Sequence, residues 1–306
     1  MSEKQEFDQN EILINESFGE DDDFVIESDQ GDDVLNPPKE EPQEPKKEEE
    51  GEKPQKPLID LPPTIVEDKQ TNMDLVLVID VTESMVPFLT QVKEKAKKLH
   101  QIFQKALKED HHPVNVIRVR VIAYRDYYED EVGQMEKSEF FTLPQEADEF
   151  KAFVDKLVAA GGGDLPESGL EALHYAFNSP WAEVEEGKKG RQIITLFTDA
   201  GAHALDDERR YDPEKNKCYP TEMPESLAEL QSEYNSAQVF PKDPTTNELT
   251  GRRLILFAPA LYPWKEIADA PGTAWKFTDI KYMDPEKGVP EDLESVALFV
   301  AGSLRD

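Results

Sequence analysis

The sequence is poor in three things. It has a single cysteine, Cys218, which excludes an internal disulfide framework. It has no apolar run near the roughly 20 residues that cross a bilayer. Its opening residues, MSEKQEFDQN, also lack the basic, apolar and cleavable regions of a secretory leader. It is short of positive charge: 34 lysines and arginines stand against 66 aspartates and glutamates, a net charge of −32 over 306 residues. A surface of that sign repels polyphosphate, so neither nucleic acid nor an anionic membrane is an expected partner. Together these absences predict a soluble, cytoplasmic protein.

Charge and proline are unevenly spread. Residues 1–70 carry 23 acidic and 7 basic residues, half of the net charge, with prolines at 37, 38, 42, 45, 54, 57, 62 and 63. Such a segment buries too little apolar surface to offset its ordering entropy. The expected division is a disordered acidic tail over 1–70 and one folded domain over 71–306. The apolar island Phe24-Val25-Ile26, set between Asp21-Asp22-Asp23 and Glu27, reads as chance in a biased segment or as a docking motif. The tail as a whole reads as a solubiliser, or as a tethered store of carboxylates that Asp21 to Asp33 could deliver to a site on the folded part.

Four short runs are almost continuously apolar and β-branched: Leu75 to Ile79, Val119 to Ala123, Ile193 to Phe197 and Leu254 to Ala258. Strands covered on both faces have that composition. Between and after them, apolar residues recur at helical spacing: Val92, Ala96, Leu99, Phe103 and Leu107; Phe150, Phe153, Val154 and Leu157; Leu170, Leu173 and Phe177; Leu293, Val296, Val300 and Leu304. The alternation predicts a doubly wound, mostly parallel α/β sheet with helices on both faces. Glu139 to Leu143, after a turn at Glu131 to Glu136, predicts a short antiparallel edge strand. A further turn is expected at Asp243 to Gly251.

In such sheets ligands lie beyond the carboxyl ends of the strands. The residues found there are Asp80-Val81-Thr82-Glu83-Ser84, Thr198-Asp199-Ala200-Gly201-Ala202-His203, and the loop Gly161-Gly162-Gly163-Asp164-Leu165-Pro166 before a helix. All offer small oxygen donors. A hard divalent cation takes oxygen ligands, and Mg²⁺ retains several of its waters. Thr82 and Ser84, at alternate positions, can point the same way; Asp80 can hold a coordinated water; Asp164 and Asp199 can converge from neighbouring loops. That set predicts a site for Mg²⁺ or Mn²⁺ with one coordination position open to an acidic partner. Ser84 could instead cap the following helix. The glycines lack the lysine of a phosphate-binding P-loop.

These residues resemble a von Willebrand factor type A (vWA) domain with its metal-ion-dependent adhesion site, over about Met73 to Leu304. The family's Asp-x-Ser-x-Ser motif corresponds to Asp80, Thr82 and Ser84, with threonine for the first serine. Its strand-end aspartate corresponds to Asp199. Its second element is usually a threonine, and here Asp164 stands in that place. This resembles a bacterial and protozoan subgroup with Gly-Gly-Gly-Asp-x-Pro-Glu and a Tyr-Arg-Asp after strand two, matched by Tyr124-Arg125-Asp126. An added carboxylate should tighten cation binding and weaken the pull on an acidic ligand. The resemblance implies a non-enzymatic, metal-dependent protein interaction module, with partners in kinase, phosphatase or AAA+ ATPase systems. Glu83 stands where the family often has glycine and should face outward or crowd the partner. His203 reads as the rim of the site or as a plain loop residue, and Arg125 with Asp126 as a supporting ion pair or a contact surface. The stretch Ala204 to Pro224 reads as a variable surface loop or a specificity element.

Two other functions fit parts of the pattern. A phosphotransfer hydrolase of the haloacid dehalogenase type also starts from an aspartate at the end of strand one. It needs a second carboxylate two residues on as general acid, where this chain has Thr82. A metal-free vWA scaffold would use the fold alone.

Overall fold

From Leu75 to Ile79 the strand β1 (Thr71–Asp80) is apolar at every position, and a strand alternates sides at each residue. Both of its faces therefore need cover. In the computed structural model of the chain, which describes residues 71–111, 114–130, 134–162, 165–183, 189–212, 218–236, 251–271, 274–283 and 292–304, both have it. Met73, Leu75, Leu77 and Ile79 enter one core, and Val76 and Val78 enter the other. The expected tail, residues 1–70, lies outside the described residues.

β2 (Val116–Tyr124) pairs with β1 in parallel on one side. The short β3 (Met135–Lys137) and β4 (Phe141–Leu143) both run antiparallel to β2. On the other side of β1 come β5 (Lys189–Phe197), β6 (Arg252–Ala258) and β7 (Thr278–Tyr282), all parallel. The order is β3-β2-β1-β5-β6-β7, with β4 also on β2. The chain thus leaves β1 toward one edge and later returns to its other side, which opens a crevice beyond the carboxyl ends of β1 and β5.

Helices α1 (Val86–Lys95), α2 (Leu99–Glu109), α3 (Ala147–Lys156) and α7 (Leu293–Ser303) cover the first face. Helices α4 (Gly169–Phe177), α5 (Leu227–Ser236) and α6 (Trp264–Asp269) cover the second. The doubly wound, mostly parallel sheet is as expected. No helix among the described residues is long and apolar enough to cross a membrane.

Two local expectations need correction. The helix expected without interruption from Val92 to Leu107 is two helices joined by a 3₁₀ turn, Ala96–Lys98. Lysines at 93, 95, 97 and 98 put like charges three and four residues apart, which weakens a regular helix there; Lys95 pairs instead with Glu294 and Lys97 with Asp148. The turn expected through Glu136 gives way at Met135 to β3, which pairs with Tyr124, Ala123 and Ile122. Strand β7 and helices α5 and α6 were not anticipated. Of the turn expected at Asp243 to Gly251, all but Gly251 lies outside the described residues.

Gly169 opens α4 where the second core is tightest. A Cβ there would stand 2.9 Å from two ring carbons of Trp264 and 3.2 Å from the Tyr124 hydroxyl. The ring cannot retreat, because Trp264 is fully buried and its indole N–H donates to Ala200 O at 2.8 Å. Gly169→Ala should cost about 1–3 kcal/mol, read as a lower urea midpoint with an unchanged slope.

Candidate metal centre

Asp80 is the last residue of β1, and its neighbour across the sheet is the end of β5. The parallel register pairs Ile79 with Phe197, which brings Asp80 beside Thr198. The Thr198 hydroxyl donates to Asp80 Oδ2 at 2.7 Å. The Thr82 amide and hydroxyl both donate to Asp80 Oδ1, at 2.9 and 2.6 Å. The chain then enters a 3₁₀ turn, Glu83–Met85, which lifts Ser84 to the surface. The Ser84 hydroxyl donates to Asp199 Oδ1 at 3.0 Å and lies 3.4 Å from the Thr82 hydroxyl. Ser84 therefore caps no helix; its hydroxyl is turned to a residue 115 positions away. Glu83 is exposed.

Asp80, Thr82, Ser84 and Asp199 thus lie together, graded from a fully buried carboxylate to an exposed hydroxyl. Asp164 lies outside the described residues. The loop leading to it is held against the cluster: Ala160 N donates to Val81 O at 3.0 Å and Glu83 N to Gly161 O at 3.3 Å. Gly162 has φ +75°, and a Cβ on it would stand 2.8 Å from Thr82 Cβ, so its glycine is required twice over.

Burial pushes the Asp80 carboxyl up to about 6, and nearby Asp199 adds to the rise, while the Thr82 and Thr198 donors act in the opposite direction. No lysine or arginine among the described residues pairs with Asp80. A buried carboxylate with hydrogen-bond donors and no countercharge is an incomplete electrostatic arrangement. Nor do the described residues place three His, Cys, Asp or Glu side chains together as metal ligands. The donor set here is two carboxylates and two hydroxyls, all hard oxygen, which suits Mg²⁺ or Mn²⁺ better than a soft metal.

Behind the cluster lies a buried polar layer that the sequence did not announce. His203 sits on the loop after β5, as one of the two readings had it, but it is buried there. Its Nδ1 stands 2.8 Å from the Arg209 guanidinium, which can only donate, so the proton sits on Nε2 and is offered to Asp126 Oδ2 at 3.2 Å. Asp126 also accepts from the Ser168 hydroxyl at 3.2 Å and from the Tyr128 amide at 3.0 Å. Arg125 donates to Ala160 O at 2.9 Å, securing the glycine-loop stem. Arg125 and Asp126 are both buried, so they form no contact surface. Glu171, in α4, is fully buried and accepts from the Tyr219 hydroxyl at 2.8 Å. Burial pushes it up to about 7, against the pull of Tyr219 and His203. Tyr219 and Arg209 thus anchor the described parts of the stretch Ala204 to Pro224 to the interior.

Residues 74–211 match the von Willebrand factor A domain family, a span that holds Asp80, Thr82, Ser84 and Asp199. Over 141 residues, 44% of this chain, the sequence is 29% identical to a putative ariadne-like RING finger protein of Acanthamoeba polyphaga mimivirus, of which it spans 12%. Among solved structures, a von Willebrand factor type A protein from Catenulispora acidiphila aligns over 77% of this chain and 43% of its own, at 14% identity and a TM-score of 0.42. The pilus adhesin SpaC from Lactobacillus rhamnosus GG aligns over 77% of this chain and 31% of its own, at 9% identity and a TM-score of 0.45. The chain spans less than half the length of each of these relatives.

Proposed function

We propose that this protein is a cytoplasmic, metal-dependent interaction module, and not an enzyme. Asp80, Thr82, Ser84 and Asp199, with Asp164 from the glycine loop, hold Mg²⁺ or Mn²⁺, and the cation accepts a carboxylate from a partner protein. The vWA-type sheet, the match over 74–211 and the oxygen chemistry of the cluster support the reading. The observation that carries it is the Ser84–Asp199 contact beside Asp80, which joins oxygens from two strand ends in a place where no core packing demands them. When bound, the cation neutralises buried negative charge and supplies a Lewis-acidic position for an outside oxygen. This chain's residues fix that position at the end of the sheet. A partner from a kinase, phosphatase or AAA+ ATPase system is the proposal that the family resemblance adds.

The test is calorimetric titration of the full chain with MgCl₂ and MnCl₂, followed by affinity capture with and without chelator. Heat of binding that is lost in Asp199→Ala, together with a captured partner that chelator releases, is the expected outcome. No heat from either salt, with an unchanged melting temperature, leaves a metal-free scaffold. Turnover of phosphate esters that requires Mg²⁺ and Asp80 would make it a hydrolase.

A further inference from the structure

The loops around the oxygen cluster are apolar where they reach solvent. Among the described residues, nine large hydrophobic side chains are exposed, and four of them border this edge: Val86, Leu165, Leu261 and Tyr262, at 45, 67, 45 and 40% exposure. The segments that carry three of them, Leu165, Leu261 and Tyr262, are joined by backbone pairing. Glu167 N donates to Gly201 O and Ala202 N to Tyr262 O, each at 3.0 Å. A Cβ on Gly201 would stand 3.6 Å from Leu261 Cβ and 3.8 Å from Pro166 Cβ. Leu165 and Leu261 therefore flank the turn that begins at Asp199, and Val86 follows Ser84 by two residues. Outside this apolar rim Glu83, Asp206 and Glu266 are exposed, and the one exposed cation beside them among the described residues, Lys265, is paired with Asp269.

The three zones are an oxygen cluster, an apolar rim and an acidic surround. We propose that they fit a peptide segment of a partner protein that carries one carboxylate between large apolar side chains, with basic residues further out. The proposal rests on the cation reading and specifies the ligand of that site. A polyacidic ligand gains at the cation and is repelled by the carboxylates beyond the rim, Glu83, Asp206 and Glu266, in a chain whose net charge is −32. A solitary carboxylate avoids that repulsion. Its apolar neighbours would cover Leu165 and Leu261, and burying such side chains from water is favourable in proportion to their area.

The probe is a fluorescent peptide, Lys-Gly-Leu-Asp-Phe-Gly-Lys, titrated into the full chain in excess Mn²⁺. Its controls are the same peptide with alanine for Leu and Phe, and one with Asp-Asp-Asp at the centre. The Leu-Asp-Phe peptide should bind tightest. Leu165→Ser and Leu261→Ser should each weaken it about tenfold, the effect of uncovering roughly one leucine, while Mn²⁺ titration of both variants stays as in the parent. If Mn²⁺ binds and all three peptides bind alike, or the serine variants bind as the parent does, the rim proposal is overturned and the cation reading stands. If Mn²⁺ itself does not bind, both fall. Sedimentation showing a Mn²⁺-dependent dimer that Leu261→Ser dissolves would overturn the proposal by making a second copy of the chain the occupant.

Discussion

Asp80→Asn should lower the affinity for Mn²⁺ by at least about 100-fold, since even partners that only orient ligands are worth 10–100-fold. In the same variant the cation-free protein should be no less stable than the parent at pH 7.5. The two effects have one cause. The Asp80 carboxyl is raised from 3.8 to about 6, chiefly by burial. A raised acid contributes stability that is full below about pH 4 and is lost as the pH rises through about 6. At pH 7.5 the charged carboxylate is therefore a burden on the fold, one that the proposed cation would offset. Asparagine removes the charge and keeps the shape. Its Oδ1 still accepts from Thr82, and its amide can donate to Thr198, whose own proton can turn to Ala200 O at 3.4 Å. Thermal unfolding in EDTA and in excess Mn²⁺ checks this: the parent should gain on adding the metal and the variant should not. A variant that binds Mn²⁺ as tightly as the parent would contradict it.

Glu171→Gln should flatten the dependence of stability on pH. Glu171 is fully buried and raised from 4.5 to about 7 by burial. Its contribution is full below about pH 4.5 and lost as the pH climbs through about 7. Between pH 5 and 8.5 that loss amounts to about 2–3 kcal/mol. Glutamine cannot ionise, yet it still offers Tyr219 an acceptor. Urea unfolding of both proteins at the two pH values gives a double difference in which other titrating groups, Asp80 included, cancel. The parent should lose about 2–3 kcal/mol more than the variant on going to pH 8.5; equal losses would mean that Glu171 is already satisfied as an anion.

That Asp80, Thr82, Ser84 and Asp199 stand together was legible in the sequence because the end of a buried strand constrains where the next few side chains stand. Asp80 comes directly after one apolar run and Asp199 one residue beyond another, and parallel pairing of β1 with β5 brings those ends together. The buried polar layer was hidden for the opposite reason. Asp126, Glu171 and His203 each have a partner between 42 and 77 positions away, and a polar residue read one at a time defaults to the surface. Periodicity also failed where elements are short. Helix α6 has six residues, too few to establish a 3.6-residue repeat. Strand β7, Thr-Asp-Ile-Lys-Tyr, has a single aliphatic residue and is held by its backbone pairing with β6.

That outermost strand affects how molecules of this protein behave beside one another. A terminal strand presents backbone donors and acceptors on its outer side, the template on which a second chain can be added. Asp279 and Lys281 place opposite charges on alternate residues of a stretch only five residues long. An incoming strand would have to strip water from both. Among the described residues β7 is thus an edge whose alternating charges make continuation of the sheet by a neighbour costly.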